Sequence, residues 1–92
     1  MVEELEEIRS RQNPLVKELR AALRSGGLSG RGLLPIEGPI LLREALKSDI
    51  VIDSVLVADP SLLEADLRHG LHERRTRLFL TGQIVFKAMA DT

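Results

Sequence analysis

Three of the four prolines in this chain follow a residue suited to open a helix: Asn13-Pro14, Gly38-Pro39 and Asp59-Pro60. Proline at the first helical position gives up only an N–H that has no intrahelical partner, so each pair marks a helix start. Three short apolar runs alternate with them: Leu33-Leu34-Pro35-Ile36, Val55-Leu56-Val57 and Leu78-Phe79-Leu80. Each has the length of a buried strand. The expected order is helix, strand, helix, strand, helix, strand, helix. Such alternation with short connections gives a small α/β layered fold, with a mainly parallel three- to four-stranded sheet and about four helices. Runs this continuously apolar suit a sheet covered on both faces.

The first helix is read from Pro14 to the Gly26-Gly27 pair, which supplies the left-handed conformation of a helix end. Leu15, Leu19 and Leu23 repeat at i, i+4, i+8 as its buried stripe, and Lys17, Arg20 and Arg24 form a basic edge. Leu28-Ser29-Gly30-Arg31-Gly32 is expected to be a flexible loop carrying one guanidinium. Pro35 cannot donate to a ladder, which puts the first strand at an edge or at a bulge. The second helix uses Leu41, Leu42, Ala45 and Leu46 and runs to about Lys47. A third helix opens at Asp59-Pro60, or two residues later if Ser61 and Glu64 form a capping box. Leu63, Leu67 and Leu71 are its apolar stripe, and Gly70 is expected to stop it. Thr81 is expected to cap a last helix in which Val85, Phe86 and Met89 face inward.

Net charge is −1 from 13 basic and 14 acidic residues, which argues against a nucleic-acid binder until it is resolved along the chain. Residues 1–8 carry −4, residues 9–31 carry +5, and the remainder carries −2. The neutrality is a cancellation. The +5 segment reads either as a solvated helix face or as an anion-binding surface. Residues 1–12 form an acidic leader and approach to the first helix, with Glu7 and Arg11 spaced for an i, i+4 pair should the helix extend that far. With 92 residues there is room for one domain, 1–92, whose core needs no staple. The chain has no Cys, no apolar run long enough to span a bilayer and no basic signal-like start. A cytoplasmic protein without membrane contact is expected.

No pattern builds an active site. His69 and His72 are read as surface residues separated by the break at Gly70, so no metal site is expected. Gly26, Gly27, Gly30 and Gly32 follow a helix and precede a strand, the wrong order for a phosphate or dinucleotide loop. Asp53 and Asp59 flank one strand and would lie at opposite ends of it. Glu37 is placed at the C-terminal edge of the sheet before Gly38-Pro39, where a carboxylate either accepts amides of the following turn or meets a ligand. The chain lacks Trp and Tyr, so RNA contact would run through phosphates and polar groups on structured RNA.

Ser10-Arg11-Gln12-Asn13-Pro14-Leu15-Val16-Lys17-Glu18-Leu19-Arg20, followed by Ile36-Glu37-Gly38-Pro39-Ile40-Leu41-Leu42-Arg43-Glu44-Ala45-Leu46, resembles the N-terminal substrate-binding domain of SpoU-type (TrmH-type) RNA ribose 2′-O-methyltransferases of the SPOUT superfamily. Val85 to Thr92 resembles that domain's closing helix. The resemblance implies a fold similar to kink-turn-binding ribosomal proteins. It also implies that the domain presents structured RNA, rRNA or tRNA, to a separate C-terminal domain that binds S-adenosylmethionine and forms the parent homodimer. On this expectation the catalytic domain lies beyond Thr92, the fragment holds no cofactor, is inactive alone and is monomeric. Arg11, Asn13, Lys17, Arg20, Arg24, Arg31, Glu37 and Gly38 are the candidate RNA-binding residues, and none is catalytic. Pro35 and Thr81-Gly82-Gln83 depart from the family pattern. The alternatives are a free-standing kink-turn-type RNA-binding adaptor and a protein-interaction module.

Overall fold

The computed structural model describes residues 6–90. Along them run β1 (Glu6–Ile8), α1 (Pro14–Ser25), α2 (Pro39–Lys47), β2 (Ser54–Val57), a 3-10 turn (Pro60–Leu62), α3 (Ala65–Glu73), β3 (Arg77–Thr81) and α4 (Gln83–Ala90). The sheet is three-stranded and all parallel, in the order β1-β3-β2. Among the described residues, four helices and a parallel sheet make the expected layered α/β fold.

Side chains of a strand alternate between faces, and β3 serves both. Phe79 joins Ile8, Val16, Val85 and Met89 in a core beneath α1 and α4. Its neighbour Leu78 joins Leu42, Leu63, Leu67 and Leu71 in a second core beneath α2 and α3. β2 splits the same way, with Leu56 on the first core and Val55 and Val57 on the second. As an edge strand β2 is half-buried throughout, less covered than its apolar run implies.

The first strand is not where the apolar run puts it. Residues 33–37 form no strand, and Leu34 and Ile36 are 68% and 44% exposed. Pro35 has no N–H to give, and both backbone groups of Leu33 are already used: Ser29 donates to its carbonyl at 2.8 Å, and its N–H donates to Ser29 Oγ at 3.2 Å. The free edge of β3 is taken instead by Glu6-Glu7-Ile8, in the segment read as an acidic leader, with Ile8 buried and Glu6 aligned with Phe79. Glu7 pairs with Arg9 at 3.2 Å, not with Arg11, because the strand displaces any helical extension. Glu3 and Glu4 lie outside the described residues.

Gly70 does not stop the third helix. Leu67 and Leu71, fully buried one turn apart, straddle it and hold the helix to Glu73. The helix ends at Arg74 in a Schellman motif: Thr76 N–H reaches Leu71 O and Arg75 N–H reaches His72 O, both at 3.0 Å. Arg75 takes the left-handed position at φ 58°. Neither sequence alternative for the start of this helix holds. Asp59 accepts from Ser61 N–H at 3.0 Å and caps the 3-10 turn, while α3 begins after Glu64. Arg43 of α2 braces that start through Asp66 at 2.7 Å and Glu64 at 3.1 Å.

Arg74 closes the other end of α2, donating to the carbonyls of Leu46, Ser48 (3.1 Å) and Ile50 (3.2 Å). Thr81 is not a helix cap. It is the last residue of β3, fully buried, and its hydroxyl has no hydrogen-bond partner among the described residues. Phe86 is 38% exposed and does not join Val85 and Met89 in the core.

A methyl group built at Gly70 meets only Leu46 side-chain carbons at 3.5 Å, an ordinary contact. Gly70→Ala should therefore raise unfolding free energy by about 0.5–1 kcal/mol, through helix propensity, in urea titration. Thr81→Val removes a desolvated, unpaired hydroxyl from a fully buried position and should add roughly 1 kcal/mol in the same measurement.

Candidate nucleic-acid interface

α1 carries most of the candidate site, and its sequence explains its placement. Asn13 caps it, accepting Leu15 N–H at 2.9 Å, and Gly26 ends it at φ 69° with its N–H on Ala22 O at 3.0 Å. The fully buried positions are Val16 and Ala22, one on each side of a leucine stripe that is itself only half-buried. At 100° per residue Arg20 lies about 40° from Val16, at the margin of the core. Arg20 is half-buried and its Nε is fully covered, without a hydrogen-bond partner among the described residues.

Lys17 and Arg24, almost two turns apart, share one outward flank of α1 with Arg20 beside them. Lys17 and Arg24 are exposed, as is Arg11 in the turn that leads to Asn13. Among the described residues no ion pair engages any of these four cations. The charges of Arg11, Lys17 and Arg24 face solvent.

Arg31 is on the other side of the helix. Its Nε lies 3.0 Å from both carboxylate oxygens of Glu18, and its Nη2 lies 3.0 Å from Glu18 Oε1 and 3.4 Å from Asp53 Oδ2. Glu18 is about 100° round α1 from Lys17 and still farther from Arg20 and Arg24, so the structure divides the predicted basic set into two flanks. The loop that carries Arg31 is also not the free loop expected. Ser29 closes it: its Oγ accepts the N–H groups of Arg31 (3.3 Å) and Leu33 (3.2 Å), and its carbonyl accepts Gly32 N–H at 2.9 Å.

Glu37 and Gly38 are not at the sheet's C-terminal edge, because the strand that would have placed them there does not form. Glu37 is exposed in an irregular segment. Gly38 serves α2, adopting φ 93° and accepting Leu42 N–H at 3.2 Å. Neither lies with the α1 residues. His69 and His72 share α3, and His69 Nε2 sits 3.0 Å from Glu73. Among the described residues no group of His, Cys, Asp and Glu is arranged to hold a metal ion.

Sequence reasoning missed Arg77. It opens β3, its Nη2 is 3.8 Å from Asp53 Oδ2, and its guanidinium carbon stands 5.3 Å from the centre of the Phe79 ring. The signal was present as Arg at i and Phe at i+2 of one strand, which share a face. Arg31 and Arg77 thereby meet on Asp53, in an open cleft of about 480 Å³ also lined by Glu6, Asn13 and Glu18.

Compared with known proteins, the chain matches no family model, no curated protein and no solved structure. Among the described residues no helix is long and apolar enough to cross a membrane.

The hydrogen bonds from Arg31, seconded by the Ser29 hydroxyl, hold the Glu18 carboxyl below its ordinary value. A carboxylate depressed by folding stabilises above its unfolded pKa and loses that contribution as pH falls through the folded one. The Arg31 clamp should hold above pH about 4.3 and release progressively below it. The protection factors of the Ser29, Arg31 and Gly32 amides, taken against the intrinsic exchange rate at each pH, should fall in that acid range, and Glu18→Gln should show the lower protection already at neutral pH.

Proposed function

We propose that this domain recognises structured RNA through phosphate contacts along the outward flank of α1. The observation that carries the reading is the set of cations on that flank that have no ion pair among the described residues: exposed Lys17 and Arg24 with half-buried Arg20 beside them, and exposed Arg11 just before the helix. Phosphate neutralisation releases counterions and needs accessible cations whose charge is not already spent on carboxylates. This flank meets that condition. Arg31 does not, being held by Glu18 and Asp53.

The motif resemblance supplies the finer reading. On it, the domain is the cytoplasmic substrate-binding part of an RNA ribose 2′-O-methyltransferase that acts on rRNA or tRNA. Methyl transfer from S-adenosylmethionine, and the homodimer, would belong to a separate C-terminal domain. On this reading RNA binding is the activity of this chain, and the chemical step belongs to that other domain.

Binding of a structured RNA should weaken with salt along a log–log line, as expected for contacts to a few phosphates. Lys17→Gln and Arg24→Gln, singly, should each reduce the slope by about 1 and lower affinity similarly for all sequences. Fluorescence anisotropy across a salt series reads both. A slope and affinity that neither substitution moves would remove α1 from the interface.

A further inference from the structure

The open cleft beside α1 has a makeup that phosphate contacts do not require. Arg77 lies over Phe79 with its guanidinium carbon 5.3 Å from the ring centre, and its side chain is 58% exposed. The guanidinium is therefore backed by an aromatic ring while its side chain stays largely exposed and lines the cleft. Asp53 pairs with it at 3.8 Å. A planar cation fixed in this way is a stacking platform, and unpaired RNA bases stack on arginine planes as they do on aromatic rings. The cleft's volume of about 480 Å³ falls within the range of small-ligand sites.

The polar lining narrows the ligand. Glu6 is aligned with Phe79 across the β1–β3 ladder, lines the same cleft and has no ion pair or hydrogen bond to its side chain among the described residues. An ionised carboxylate only accepts hydrogen bonds. It therefore suits a base edge that presents two adjacent N–H donors, which guanine does through N1 and N2, whereas adenine presents a bare acceptor at N1.

We propose that this cleft receives one unpaired guanine base of a bound RNA, stacked on Arg77 and read by Glu6. The proposal rests on the RNA-binding reading and adds to it a second contact region, on the side of α1 away from Lys17 and Arg24.

The test uses the full chain and three RNA hairpins of identical stem, carrying one unpaired guanine, one unpaired adenine or no unpaired nucleotide, compared by anisotropy at one fixed salt concentration. The guanine hairpin should bind about tenfold more tightly than the fully paired one, the scale of one stacked base. The adenine hairpin, which keeps the stack and lacks the Glu6 contact, should fall between the two. Arg77→Lys keeps the charge and loses the plane, and should abolish the guanine advantage while leaving paired RNA unaffected. Glu6→Gln should reduce discrimination between guanine and adenine. Equal binding of all three hairpins, or a loss in Arg77→Lys common to all three, overturns the cleft proposal and leaves the RNA reading standing. Equal binding of guanine and adenine overturns the role of Glu6. Failure of the unaltered chain to bind any hairpin overturns both the proposal and the RNA reading.

Discussion

The placement of β3 at the centre of the sheet governs the rest of the molecule. It is the last strand in the chain, yet it pairs in parallel with β1 on one side and β2 on the other. Its adjacent residues Leu78 and Phe79 each enter a different core, so α1 and α4 on one face and α2 and α3 on the other are all referenced to this one strand. Glu6 to Ile8 must find Phe79 to Thr81 across more than seventy residues before the sheet exists. Closing so long a loop has an entropic cost that the local signals of β1 cannot offset, so β1 depends on β3 being in place.

The same strand organises the charges. Arg77 opens β3 and shares Asp53 with Arg31, and Arg31 holds Glu18 of α1, so the ion pairs tie the sheet, the helix and the turn around Ser29 together. Arg43 and Arg74 do comparable work around α2, one bracing the start of α3 and the other satisfying carbonyls at the end of α2. Once these arginines are assigned to the architecture, the cations on α1 and just before it that have no ion pair among the described residues stand out. Net charge is uninformative about this, because it counts structural and available cations alike.

The helices were largely legible in the sequence, and the strands were legible only in part. Asn13, Pro14 and Gly26 bound α1 by chemistry acting over a few residues, and the structure keeps those bounds. Val55 to Val57 and Leu78 to Leu80 were visible as apolar runs and became β2 and β3. Leu33 to Ile36 looked the same and did not pair, because Ser29 had already claimed the backbone of Leu33 and Pro35 had no donor to offer. Glu6-Glu7-Ile8 carried almost no strand signal. Gly70 carried a stop signal that the burial of Leu67 and Leu71 overrode.

The candidate site divides along the same line. Sequence by itself determined that α1 is an amphipathic helix with a basic edge at Lys17, Arg20 and Arg24, since helical periodicity is a property of the segment alone. Only the tertiary structure decided that Arg31 faces Glu18 and Asp53, that Glu37 stands apart, and that the Arg77–Phe79 pair lies beside Glu6. Those relations join residues 13 to 73 positions apart. No local preference specifies them, and they follow from which strand fills the centre of the sheet.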